Sequence, residues 1–347
     1  MNLHNTPIDI LMLTDYDWAN TGYRFCKSLQ IVGLNVVFFK GHLDNTFGYP
    51  IQAHVMPSIT KGRKINNKKF PVVIEIDNDP FLLSLLKRAK IINFHAETFI
   101  KYKNFDYSSK IITVTYSGIY RSVPLEYNKL FSFSNHSIMH SSDLLNLGAS
   151  DEHLVHFPID TDFIKPNFEF KHPTKLVIGH FPSNSLTKGS NTIYSALKCI
   201  MNKEKYEDKI EYVGIIPTGK PYINHMKWLD NLDRISKCDI YIETCNLFLG
   251  NNTFGEFGNT CLEASALGCI VITNSLSSEL YEKEYGERPL YVANNQIEIE
   301  ARLEEILNLS RDEILEKKKK FRQWVEDKHS LEATGTRLMN KIYSKYF

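Results

Sequence analysis

The sequence has no apolar run approaching the ~20 residues that a membrane-spanning helix needs. Its opening stretch, Met1 to Pro7, is polar and leads into Ile8–Leu13, which is too short for the core of a signal peptide. A cytoplasmic protein is the expectation. Charge of either sign is also lacking in excess: 41 Lys and Arg stand against 40 Asp and Glu, so nothing draws the chain as a whole toward nucleic acid. There is no CxxC pair. The six cysteines, Cys26, Cys199, Cys238, Cys245, Cys261 and Cys269, lie mostly among apolar neighbours, which points to buried free thiols and away from zinc or disulfide frameworks. Low-complexity sequence is confined to Lys61–Lys69 and Lys317–Lys320. Both read as solvated surface, with attraction to anionic lipid as the alternative, which would place the protein peripherally on the inner face of a membrane.

What is present is length and alternation. At 347 residues the chain exceeds the usual single core and suits two domains. Short β-branched runs at Ile8–Leu13, Val36–Phe39, Val72–Ile76, Ile91–Phe94 and Ile111–Thr115 are separated in places by amphipathic stretches such as Tyr23–Val32. A second series follows at Leu176–Phe181, Ile210–Val213, Ile240–Glu243, Cys269–Thr273 and Leu290–Val292. Alternation of this kind is the signature of α/β folds with parallel sheets. The prolines and charges from Phe157 to Pro173 suit a connection between the halves, with the boundary near residue 170. After the charged helix Arg311–Lys328, the residues Leu331, Leu338, Ile342 and Tyr346 recur at helical spacing. The expected organisation is a domain over 1–170, a second over 171–325, and a tail helix over 326–347 packed across them.

The run Gly255-Glu256-Phe257-Gly258-Asn259-Thr260-Cys261-Leu262-Glu263-Ala264 carries the chemistry. Asn259 and Thr260 can cap a helix that continues to a stop at Gly268, and a buried strand follows. Gly258 before that helix permits close backbone approach, and the unpaired amides of the first turn can hold a diphosphate. Glu263, about one turn inside, can accept hydrogen bonds from ribose hydroxyls. Upstream, the strand Lys175–Phe181 runs into Pro182-Ser183-Asn184-Ser185-Leu186-Thr187-Lys188-Gly189-Ser190 and a helix. Lys188 there supplies a cation beside a helix N-terminus, suited to a departing diphosphate.

These residues resemble the large retaining glycosyltransferase family four, whose members carry Glu-Gly-Phe-Gly, three variable residues, then Leu-Glu-Ala and a small-residue helix ending in Gly. Phe257, Gly258, Leu262, Glu263, Ala264 and Gly268 match, while the acidic residue is displaced by one to Glu256. The resemblance implies the GT-B architecture, two Rossmann-like domains facing a cleft with a C-terminal helix crossing back to the first. It also implies an enzyme that moves a hexose-like sugar from a nucleotide-diphosphate sugar, its co-substrate, to a glycan or lipid-linked acceptor without a metal or other cofactor. Assembly of surface polysaccharide or lipopolysaccharide is the common setting.

In this assignment Lys188, Glu256 and His95 are the catalytic group. Gly22, Ser183, Asn184, Lys188, Phe257, Gly258, Asn259, Thr260 and Glu263 hold the donor, and Arg121 faces an anionic acceptor. His95 follows the strand Ile91–Phe94 where the family often has a histidine at the sugar, and the family often places glycine where Gly22 lies. The triplets Asp15-Tyr16-Asp17, Asp77-Asn78-Asp79 and Asp160-Thr161-Asp162 could hold a metal–diphosphate in a different glycosyltransferase fold, but the two-domain pattern argues against that use. A nucleotide-sugar 2-epimerase and a non-catalytic carbohydrate-binding protein of the same architecture remain open as alternatives.

Overall fold

In a computed structural model of the chain, residues 6–41, 48, 54–55, 64–65, 71, 73–217, 226–246, 248–249, 252–253 and 256–347 are described. Gly250, Gly255 and most of Lys61–Lys69 lie outside them. The chain divides into two compact units. It passes from the first to the second at Pro158–Ile159 and returns to the first at Ser330–Leu331. The first change falls before residue 170 because Ile159 and Ile164 are already buried. Arg322, on a helix of the second unit, fixes that segment by donating to the carbonyls of Thr161 and Ile164.

The first unit contains β1 (Ile8–Thr14), α1 (Thr21–Ile31), β2 (Val36–Lys40), β3 (His54–Val55), β4 (Lys64–Ile65), β5 (Val73–Ile76) and α2 (Pro80–Arg88). There follow β6 (Ala89–His95), β7 (Phe99–Tyr102), β8 (Ile111–Tyr116), α3 (Pro124–Leu130), β9 (His136–Met139) and β10 (Glu152–Leu154). Seven strands form one sheet in the order β10-β9-β8-β6-β1-β2-β3, and each of its pairings is parallel. Parallel strands need cover on both faces, which is why β1 reads as an almost unbroken apolar run and is buried nearly throughout. A smaller sheet has the order β4-β5-β7.

Two of the Asp-x-Asp triplets end in helix caps. Asp17 accepts from the amides of Gly22 (2.7 Å) and Tyr23 (3.0 Å) at the start of α1. Asp79 accepts from Phe81 (3.1 Å) and Leu82 (3.0 Å) at the start of α2, where Pro80 takes the position that needs no amide. Asp160 holds a turn by accepting from the amide of Phe163.

The second unit contains β11 (Leu176–Gly179), α4 (Ser190–Met201), β12 (Ile210–Tyr212), α5 (Trp228–Ile235), β13 (Ile240–Ile242), β14 (Phe248–Leu249) and β15 (Asn252–Thr253). It continues with α6 (Asn259–Ala266), β16 (Ile270–Thr273), α7 (Ser278–Tyr285), β17 (Tyr291–Val292), α8 (Gln296–Leu307) and α9 (Arg311–His329). Its main sheet runs β12-β11-β13-β16-β17, again parallel at each pairing. The charged helix α9 is tied down by a fully buried ion pair, Lys318 Nζ to Asp239 Oδ1 at 3.0 Å. Asp239 also accepts from the amide of Val177, so both carboxylate oxygens are used.

The last α-helix, α10 (Leu331–Leu338), continues into a π-helical turn over Met339–Tyr343, and both belong to the first unit. Leu338, Ile342 and Tyr343 join Ile10, Met12, Phe25, Leu29 and Phe38 in its core. Five of the six cysteines are buried and all are free, with Cys199 exposed. Among the described residues no helix is long and apolar enough to cross a membrane.

Candidate functional site

Functional side chains in open α/β sheets gather beyond the carboxyl ends of the strands, and in the second unit those ends bring together residues far apart in sequence. After β11, Asn184 folds the loop on itself: its side chain accepts from the amides of Leu186 (3.0 Å) and Thr187 (3.1 Å), and its carbonyl accepts from the amide of Lys188 (3.1 Å). Asn184 is thus committed to shaping the loop, while Ser183 is exposed. Gly189 then turns the chain with φ +70° into α4, whose N-terminus has no side-chain cap. His180 at the end of β11 is buried and bonded through both ring nitrogens, to the Ile242 carbonyl and the Ser190 hydroxyl, each at 2.8 Å. Burial pushes its pKa down to about 4.

The turn delivers Lys188 Nζ to the carboxylate of Glu243, the residue after β13, and the two form an ion pair. Glu243 is buried and its second oxygen accepts from the Thr273 hydroxyl at 3.1 Å, at the end of β16. Next to this pair begins α6. Its capping position is Gly258, with no side chain closing the first turn. A Cβ on Gly258 would stand 3.2 Å from Glu243 Oε1 and 3.7 Å from Lys188 Nζ, so glycine keeps the flank of the pair open. Asn259 and Thr260 supply the first turn, and the Asn259 Oδ1 is buried without a hydrogen-bond partner among the described residues. A lysine and an uncapped helix N-terminus at one point form an anion-binding arrangement.

Glu263 lies one turn further along α6 and is buried rather than on a solvent face. The Trp228 indole donates to its Oε1 at 2.9 Å, and that ring stacks on Phe163 with centroids 5.4 Å apart. Glu256 and Phe257 are turned elsewhere. Glu256 accepts from Arg288 Nη1 at 2.8 Å in an ion pair whose side chains are both almost wholly buried, and Arg288 also donates to the Ser275 hydroxyl at 2.8 Å. Phe257 packs its ring among Tyr281, Trp324 and His329. Both therefore anchor the loop before α6 from beneath, whereas the carboxylate found at Lys188 is that of Glu243, which the sequence reading left out.

In the first unit, His95 ends β6 and is buried, with Nε2 3.0 Å from the Thr21 hydroxyl. Burial lowers its pKa to about 3, so the ring is neutral. Its Nδ1 has no hydrogen-bond partner among the described residues. Gly22 is required by packing: a Cβ there would stand 2.6 Å from Phe38 Cζ and 3.0 Å from His95 Cδ2. Arg121 forms an ion pair with Asp143 at 2.9 Å, and Ser141 donates to the same carboxylate.

Glu97, which sequence reading also missed, is buried just past β6 in a left-handed conformation, φ +42°. It accepts from the Ser117 amide (2.7 Å), the Ser117 hydroxyl (2.7 Å) and the Tyr120 amide (3.0 Å), holding the loop that carries Arg121. Burial raises its pKa to about 7.

No protein-family model matches this sequence, and no curated protein does. Solved structures match along the whole chain. A glycosyltransferase of Rickettsia africae is 14% identical, with a TM-score of 0.58 over 98% of this chain and 99% of that one. HepE of Anabaena, solved in complex with UDP-glucose, is 11% identical, with a TM-score of 0.56 over 97% and 100%. Sucrose-phosphate synthase of Thermosynechococcus elongatus is 13% identical, with a TM-score of 0.55 over 97% and 98%. At such identities the likeness is one of fold, and the fold is GT-B: two Rossmann-like α/β units with the chain's end returned to the first.

Proposed function

We propose that the protein is a glycosyltransferase that uses a nucleotide-diphosphate sugar, with the diphosphate bound by Lys188 and the first-turn amides of α6 and the ribose by Glu263. The observation that carries this reading is the meeting of Lys188 with the uncapped N-terminus of α6 at Gly258. An arriving diphosphate competes with Glu243 for the Lys188 ammonium, while Thr273 retains the Glu243 carboxylate. Trp228 presents Glu263 by binding one of its oxygens. The first unit takes the glycan or lipid-linked acceptor.

Transfer with retention fits a site that offers cations and amides to the leaving group. The sugar C1–O bond to the diphosphate breaks, the acceptor oxygen bonds to C1 on the same face, and the acceptor proton passes to the leaving phosphate oxygen. The protein's share is positioning and charge stabilisation, with no metal required. Hexosyl transfer in surface polysaccharide or lipopolysaccharide assembly, at the inner face of a membrane, is the setting we propose.

UDP and UDP-glucose are the first ligands to test, since HepE was solved with them. In calorimetry with UDP, GDP, ADP and CDP, one diphosphate should bind. Lys188→Ala and Glu263→Ala should each weaken it by about tenfold or more, as loss of a charged hydrogen bond implies. Sugar transfer should fall in parallel. Absence of binding by all four, or full activity in both variants, would remove this assignment.

A further inference from the structure

We propose that His136, Asp151 and His153 form a site for a zinc-class divalent cation on the first unit, separate from the donor site. His136 opens β9, and Asp151 directly precedes β10. Parallel pairing of Glu152 with Ser137 and of His153 with Ile138 brings the start of one strand beside the start of the other. The three side chains each offer one ligand atom, and these atoms all lie within 4.8 Å of one another. His136 Nδ1 and His153 Nε2 both contact the same carboxylate oxygen, Asp151 Oδ2, the latter at 3.1 Å.

Local structure arranges this convergence. Asp151 sits in a left-handed conformation, φ +43°, with its carbonyl accepting from the Ser137 amide, so its backbone is fixed to β9 before its side chain is used. His136 is oriented by its other nitrogen: Nε2 lies 2.7 Å from the Tyr346 hydroxyl, which leaves Nδ1 for the cation. An outer partner of this kind accompanies nearly every metal-bound histidine. Exposure grades across the site, from 4% at His136 through 18% at His153 to 52% at Asp151. A cation can therefore enter from solvent and keep a water as its fourth ligand.

Two imidazoles and one carboxylate select zinc, cobalt or nickel over calcium and magnesium, which take oxygen sets. Tetrahedral zinc spaces such atoms about 3.3 Å apart, and His153 Nε2 stands 3.1 Å from Asp151 Oδ2. The site lies at the amino ends of β9 and β10, opposite the carboxyl ends where His95 and Ser117 emerge, so the ion would brace the sheet edge and, through Tyr346, the end of the chain.

The test is titration of the full chain, stripped with chelator, using Zn2+ by calorimetry and Co2+ by visible absorption. Equimolar binding with a tetrahedral cobalt spectrum is expected, together with a higher melting temperature that chelator reverses. His153→Ala and Asp151→Asn should each weaken Zn2+ by about tenfold or more, with unchanged far-ultraviolet circular dichroism showing that both fold. Cys199→Ser, which removes the exposed thiol, should bind as the parent does. No zinc binding by the parent, equal affinity in both ligand variants, or loss in Cys199→Ser would overturn the site.

Discussion

Lys188 and Glu243 form a salt bridge at the place where a diphosphate would bind, so the carboxylate opposes the ligand it borders. Glu243→Gln should tighten nucleoside-diphosphate binding severalfold by releasing the ammonium, read by calorimetry against the parent; weaker binding would show that Glu243 positions Lys188 instead. Glu97 makes a separate prediction. Its folded pKa, raised from 4.5 to about 7 by burial, favours the protonated form, and a shift of that size is worth roughly 3 kcal/mol. For a raised pKa the contribution is whole below the unfolded value and is lost as pH climbs through the folded one. Denaturant midpoints of the parent should therefore fall relative to Glu97→Gln between about pH 4.5 and pH 7, then run parallel; an offset independent of pH would refute the shift. Lys188 was legible in the sequence because a lysine flanked by glycine follows a strand. Glu243 and Glu97 were not, since each is a lone glutamate whose partners lie 20 or more residues away in the chain. Glu256 stands out through the family resemblance, which places a glutamate one position away, but Arg288, which holds it, is found only in the fold.

At the level of elements, most strands announced themselves by composition. β1, β6 and β16 are buried on both faces, which leaves no polar alternation to confuse with a helix. Seven of the described strands have no counterpart among the apolar runs of the sequence: β3, β4, β14 and β15 are two residues each, and β7, β9 and β10, reading Phe-Ile-Lys-Tyr, His-Ser-Ile-Met and Glu-His-Leu, hold at most three apolar residues, too few to signal a buried strand alone. Their neighbours in the sheet supply what their sequences do not. The contact of α10 with α1 rests on a single glycine that periodicity passes over. A Cβ on Gly335 would stand 2.1 Å from the carbonyl oxygen of Ser28, in backbone that cannot rotate aside. Gly335→Ala should push the helices apart and cost about 3 kcal/mol or more. A melting temperature equal to the parent's would show that the helices can part without loss.

The whole molecule is organised by its ends as much as by its middle. The apolar stripe after Leu331 reads in sequence as part of one tail helix over 326–347 packed across the domains. In the structure α9 ends at His329, α10 covers Leu331–Leu338, and Leu338, Ile342 and Tyr343 sit in the core of the first unit with residues of β1 and α1. The core of the first unit is therefore completed by residues after Leu331, whereas the described residues of the second lie in Ile159–Ser330, with Gly48 added. Ending the chain after Ser330 removes Leu338, Ile342 and Tyr343, each about 1% exposed. Three fully buried side chains of this size contribute roughly 5–9 kcal/mol, comparable with the 5–15 kcal/mol that typically holds a domain together. The truncated protein should thus lose the ordered first unit while the second keeps its own core. Calorimetry should show one transition where the full chain shows two or a single larger one, and limited proteolysis should leave a fragment within residues 159–330. Wild-type unfolding enthalpy and midpoint after truncation would mean that the tail adds nothing to the core it enters.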